Sequence, residues 1–137
     1  MSTFRYAIII DKDLTAGLIA NTAAILSLSI GKIHPDLIGH DIKDKDGNIH
    51  RGITTTPIPI LAADNSRLSE IREAVRQYEP ELTVVDFTDV AQMTKTYDDY
   101  SNRLSNTPVV DLKYLGLVIS GKRKIVNKYT GNLGLLR

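Results

Sequence analysis

The chain has 137 residues, with 17 Lys and Arg against 16 Asp and Glu and a formal charge of +1. That length suits one domain, 1–137, and so even a balance excludes a general electrostatic affinity for nucleic acid or a membrane surface. With no cysteine, a disulfide framework and thiol chemistry are excluded as well.

Tyr6-Ala7-Ile8-Ile9-Ile10 is a β-favouring run without alternation, the pattern of a central strand covered on both faces. Asp11, Lys12 and Asp13 end it, and Asp13 is placed to cap the next helix. From Thr15 to Ile30, Leu18, Thr22, Ile25, Leu26 and Ser29 recur at helical spacing, as do Ile19, Ala23, Leu26 and Ile30. A helix apolar on more than one face is expected to be largely buried, with Asn21 inside it and in need of partners. Its polar interruptions are too many for a membrane span. Met1 to Arg5 lacks the basic stretch of a secretory signal, so a cytoplasmic protein is expected.

Residues 34–56 are the least regular. Asp44-Lys45-Asp46-Gly47 between Ile42-Lys43 and Asn48-Ile49-His50 predicts an exposed β-hairpin over 40–53. Thr54–Leu61 reads as an extended edge, because Pro57 and Pro59 lack donors, and such an edge can pair with a second copy in a homodimer. Asn65 or Ser66 caps a surface helix carrying Leu68, Ile71, Val75 and Tyr78, which Pro80 stops. Leu82–Phe87 is a second buried strand. Thr88 or Asp89 opens a helix reaching 105, with Val90, Met93, Tyr97, Tyr100 and Leu104 on its inner stripe. Leu112–Ile119 is the last strand, and Lys122–Thr130 a C-terminal helix closed by Gly131. This alternation predicts an α/β fold: a mixed, mainly parallel sheet of about four core strands, helices on both faces, and a small inserted hairpin.

Asp11, Asp13 and Asp86, with Thr88, fall at carboxyl ends of predicted strands, where ligands bind in open α/β sheets. Asn21 and Thr22 could complete a polar pocket there for a cation or an amine. The competing role for these residues is structural, as helix caps and turn bonds. His34, His40 and His50 have spacings that fit no compact metal motif, so no metal is expected. Lys122-Arg123-Lys124 with Lys128 is the basic cluster, either a phosphate contact or a solvated face. There is no Walker loop, Rossmann fingerprint, nucleophile elbow or Cys/His zinc pattern, so no cofactor is expected.

Two resemblances follow from motifs. Asp11-Lys12-Asp13-Leu14, Val84-Val85-Asp86-Phe87-Thr88 and Val126-Asn127-Lys128-Tyr129-Thr130-Gly131-Asn132-Leu133-Gly134-Leu135 occur in the order found in peptidyl-tRNA hydrolase II, which the chain resembles. That family's helix lysine, glutamine and histidine fall on Ala20, Ala24 and Ser27 here, and Asp11 replaces its entry arginine. Gly17–Asn21, Gly52–Leu61, Asp86–Thr88, Tyr97–Tyr100 and Thr130–Arg137 resemble an uncharacterised bacterial family said to share that fold. The resemblances imply a non-hydrolytic relative that binds a small ligand or a protein partner. The alternatives are a divergent hydrolase of an aminoacyl or peptidyl ester and a structural homodimer subunit.

Overall fold

A computed structural model describes residues 3–137. The apolar run at the start becomes β1 (Phe4–Asp11), and the long helix follows as α1 (Ala16–Ile33). A projecting hairpin carries β2 (Ile42–Lys43) and β3 (Ile49–His50). Then come β4 (Ile60–Ala63), α2 (Asn65–Val75), β5 (Thr83–Thr88), α3 (Asp89–Met93), α4 (Tyr97–Ser105), β6 (Tyr114–Lys122) and α5 (Arg123–Thr130).

The main sheet has the order β4-β1-β6-β5. β1 pairs in parallel with β4, while β6 pairs antiparallel with both β1 and β5. The expected mainly parallel sheet therefore needs correction. Three strands share a direction, but β6 runs against them from the centre, so two of the three pairings are antiparallel. β6 reverses because α3 and α4 return the chain to the edge where β5 ends, with Thr88 opposite Tyr114, and residue spacing carries no record of that.

Side-chain alternation along the strands makes two cores. Ala7, Ile9, Leu117 and Ile119 pack beneath α2 and α5 with Leu68, Ile71, Val75 and Val126. Ile8, Ile10, Phe87 and Val118 pack beneath α1 with Leu26 and Ile30. Each such aliphatic chain contributes roughly 1.5–3 kcal/mol on burial. α1 sits close over β6 because position 116 is glycine. A Cβ there would lie 2.6 Å from Thr22 Cγ2 and 3.2 Å from the Ile9 carbonyl oxygen.

Several local expectations change. Thr15, not Asp13, caps α1, its hydroxyl accepting from the Leu18 amide. Asp64 caps α2 one residue ahead of the predicted Asn65 or Ser66. α1 buries only Thr22, Leu26 and Ile30, and Asn21 is exposed. Leu28 is 79 % exposed. α1 is long and apolar enough to cross a membrane on length and composition alone; here its inner stripe packs on the sheet. The single helix expected over 88–105 breaks at Thr94-Lys95-Thr96. The Thr94 hydroxyl bonds back to the Val90 carbonyl and Thr96 caps α4. The break turns Tyr97 outward to solvent, off the predicted inner stripe.

The outer edge of β4 is covered by the chain's own tail. The Ala62 amide donates to Gly134 and the Leu136 amide to Ile60, both at 2.9 Å. That pairing fills the edge the sequence offered to a second copy at Ile60 and Leu61.

Candidate functional site

A cavity of about 630 Å³ wraps around the start of β1. Four segments meet there: Phe4, Arg5 and Tyr6 of β1, His34 and Asp36 after α1, Thr55–Pro59 ahead of β4, and Arg123 at the start of α5. The volume is that of an ordinary small-molecule pocket.

Each wall is fixed by local bonding. His34 ends α1, its amide bonding the Ile30 carbonyl at 2.8 Å. Its ring meets Phe4 edge-on, with centroids 5.1 Å apart. Its Nε2 lies 3.2 Å from Ser120 Oγ. Tyr6 Oη lies 3.3 Å from Thr54 Oγ1, and Thr54 in turn donates to the Thr56 carbonyl at 2.9 Å. Arg5 Nη1 donates to the Asn127 amide oxygen at 2.6 Å, a neutral partner that leaves the guanidinium charge uncompensated by that bond. The Arg123 amide bonds the Thr3 carbonyl at 2.7 Å, which brings α5 against the start of β1. Arg5, Arg123, His34 and Asp36 thus line one cavity, whose other walls are Phe4, Tyr6, Leu37, Thr55, Thr56, Pro57 and Pro59.

The His34–Ser120 contact has the spacing of a base and a nucleophile. Ser120 is 1 % exposed and does not line the cavity. Its hydroxyl therefore holds the imidazole in place, and an incoming carbonyl carbon has no approach to Oγ.

A second cavity of about 320 Å³ lies at the β5 edge, between Asp86 and the Tyr97–Tyr100 pair. The two rings meet edge-on at 5.6 Å. Burial, with the Asp86 charge adding to it, pushes the Tyr100 phenol up. A third, mostly apolar cavity of about 290 Å³ separates α1 from the base of the hairpin.

The residues expected to form a polar pocket do not gather in one. Asp11 is buried and accepts from the Asp13 amide at 3.0 Å, a local turn bond. Asp13 and Asn21 face solvent. Thr22 is buried and donates to the Leu18 carbonyl at 2.7 Å. Asp86 accepts from Arg72 Nε at 2.9 Å, while Arg72 Nη1 donates to Glu79 at 2.7 Å. Thr88 is buried as the cap of α3. Of these six residues, Asp86 alone lines one of the three cavities. No group of three or more His, Asp or Glu side chains is placed to hold a metal among the described residues.

The sequence does not single out Arg5, and it offers His34 only among histidines too widely spaced for a metal motif, because the cavity draws on four segments remote in the chain. One signal did point there: Arg123 belongs to the basic cluster for which a phosphate contact was one reading.

A family model described as "Protein of unknown function" (DUF2000) matches residues 4–137. No curated protein matches the chain. Among solved structures, a protein of unknown function from Agrobacterium tumefaciens str. C58 superposes with a TM-score of 0.89 at 24% identity, covering 98% of this chain and 98% of that one. That likeness establishes a shared fold.

Proposed function

The chain belongs to the DUF2000 family of unknown function, and from the cavity at the start of β1 we propose that it binds a small molecule with an acidic head and an apolar body. The observation that carries this is the pairing of Arg5, Arg123 and His34 with Phe4, Tyr6, Pro57 and Pro59 around one volume of about 630 Å³. Guanidinium groups bind carboxylate or phosphate through paired N–H donors. Rings and prolines bury the rest of such a ligand, and the Thr55 and Thr56 hydroxyls add neutral donors or acceptors.

In this reading the chain is a non-hydrolytic relative of peptidyl-tRNA hydrolase II, a likeness resting on the Asp13-Leu14 turn, Asp86 and the Thr130–Leu135 motif. Ester hydrolysis near neutral pH needs a proton-transfer group beside the reacting carbonyl. The exposed Ala20 and Ala24 and the neighbouring Ser27 of α1 supply none.

The test is a melting and calorimetry series with benzoate, phenyl phosphate and inorganic phosphate against benzamide as the neutral counterpart. A ligand at a hundred times its dissociation constant adds about 2.7 kcal/mol, equivalent to about 8–13 °C in Tm for a chain of this size. Arg5→Gln is expected to weaken binding at least about tenfold, the worth of one charge-assisted hydrogen bond. The proposal is overturned if none of the acids raises Tm, if benzamide does so equally, or if Arg5→Gln leaves affinity unchanged.

A further inference from the structure

The cavity of about 320 Å³ beside β5 has no residue in common with the one at the start of β1. β5 is an edge strand, and side chains alternate along it. Space beyond its free side is therefore lined from both faces of the sheet, by Val85 and Phe87 from one and by Asp86 from the other. The polar side chains on this cavity fall into two groups, those spent within the fold and those not. Asp86 commits Oδ2 to Arg72 Nε at 2.9 Å, while its Oδ1 accepts no hydrogen bond among the described residues. Arg72 also serves Glu79 at 2.7 Å, so one guanidinium is shared between two carboxylates and the three together keep one net negative charge. In the break between α3 and α4, the Thr94 hydroxyl donates to the Val90 carbonyl and the Thr96 hydroxyl accepts from the Asp99 amide. Lys95 stands between these two spent threonines. It is exposed, lines the cavity, and makes no hydrogen bond or ion pair among the described residues. The half-buried Ser29 hydroxyl is likewise unspent. Tyr97 and Tyr100 complete the wall with rings inclined at 74°. The Tyr100 phenol lies within the field of Asp86, which adds to burial in pushing it up.

We propose that this cavity binds a free amino acid with an apolar or aromatic side chain, its ammonium group at Asp86, its carboxylate at Lys95 and its side chain against the Tyr97 and Tyr100 rings. The walls carry one anion and one cation, each with bonding capacity that the fold does not use. A ligand with a single charge meets one attractive group and one repulsive group there, whereas a zwitterion meets two attractive ones. An ammonium group has three donors, and Asp86 Oδ1, Ser29 Oγ and the Tyr100 phenol are unspent acceptors. Ring faces attract an ammonium group as well. Lys95 has three donors for a carboxylate and a flexible stem on which to bring them to it. Val85, Phe87 and the two tyrosine rings supply the surface for the side chain. The volume lies at the small end for a ligand pocket, which suits an amino acid better than a nucleotide. The proposal is independent of the acid proposed for the first cavity, whose walls share none of these groups.

The test is calorimetry of the full chain with three probes built on one phenylethyl body: L-phenylalanine, phenethylamine, which lacks the carboxylate, and 3-phenylpropionate, which lacks the ammonium group. All three are titrated on the Arg5→Gln chain as well as on the wild type, because the first cavity is also expected to take an acid. Phenylalanine should bind most tightly, with each singly charged probe at least about tenfold weaker, the worth of one charge-assisted hydrogen bond. Lys95→Gln should weaken phenylalanine at least about tenfold and leave phenethylamine as tight or tighter. Asp86→Asn should weaken both of these probes. Its circular dichroism spectrum reports whether it folds without the Arg72 partner; Lys95→Gln alters an exposed side chain without partners and decides the matter alone if it does not. The proposal is overturned if phenylalanine gives no binding at millimolar concentration, or if Lys95→Gln leaves its affinity unchanged. Phenethylamine binding as tightly as phenylalanine would make this a site for a simple cation and also overturns it. So does phenylalanine binding that disappears with Arg5→Gln, which would place the ligand in the first cavity.

Discussion

Arg72→Met removes a guanidinium that is 7 % exposed and joins α2 to β5 through Asp86 at 2.9 Å and to the Glu79 turn at 2.7 Å. Methionine keeps most of the stem's length, so the change isolates the charge. Removing one partner of a fully buried ion pair costs about 3–5 kcal/mol, because the other charge stays behind in low dielectric. The Asp86 side chain is 22 % exposed, and water recovers part of that loss. We expect about 2–3 kcal/mol, or about 6–15 °C in Tm for this chain length. Glu79 is 32 % exposed, so Glu79→Gln should cost less than about 1 kcal/mol. Urea unfolding with an unchanged m-value measures each variant. A double-mutant cycle of Arg72→Met with Asp86→Ala should return at least about 1 kcal/mol of coupling. The reasoning fails if Arg72→Met costs under about 0.5 kcal/mol, or if Glu79→Gln is as costly as Asp86→Ala.

Gly116→Ala forces a methyl group against Thr22 Cγ2 and the Ile9 carbonyl. It should destabilise by about 1–3 kcal/mol, and Thr22→Ser, which removes Cγ2 and keeps the hydroxyl, should recover at least about half. A neutral Gly116→Ala would mean that α1 does not ride this close to β6. In alkali, burial and the Asp86 charge push the Tyr114 phenol up. The folded chain then keeps a proton that the unfolded chain releases above about pH 10, so stability falls as pH rises past that point. Tyr114→Phe should flatten that fall in a pH series of urea melts and remove a late step from the ultraviolet phenolate titration; a slope equal to that of the wild type contradicts it.

The strands and helices were legible where one property decided them. Tyr6–Ile10 could only be a covered strand, and Asp-Gly between short β-favouring segments could only be a turn. The errors lie where two signals compete. Val90, Met93, Tyr97, Tyr100 and Leu104 keep helical spacing straight through the break at residues 94–96, so periodicity overrode the capping threonines. Asp13 is the better capping residue by type, yet the chain needs Asp13 for the turn closed by Asp11, and the cap passes to Thr15. The apolar width of α1 suggested burial on all sides. One stripe meets the sheet and Leu28 does not. Of the cavity only the basic cluster at Arg123 was legible, because its other walls come from remote segments and no spacing links Arg5, His34 and Arg123.

The reversal of β6 bears on where a ligand would bind. In a sheet whose strands all run one way, carboxyl ends gather at one edge, and ligands bind in the crevice there. Here that edge carries Asp11 and Thr88, and both already act within the fold, one bonding the Asp13 amide and the other capping α3. Asp86, further down β5, is tied to Arg72. β6 alone delivers its carboxyl end to the opposite edge, where Ser120 anchors His34 and Arg123 follows directly. There the Arg5 guanidinium has an amide for a partner and an open volume in front of it. A charge facing a cavity and bonded only to a neutral group attracts an anion more strongly than one already engaged by a carboxylate. Substitutions at Asp11, Thr88 or Arg72 should therefore lower stability, whereas Arg5→Gln should lower affinity for benzoate or phenyl phosphate and leave Tm without ligand nearly unchanged.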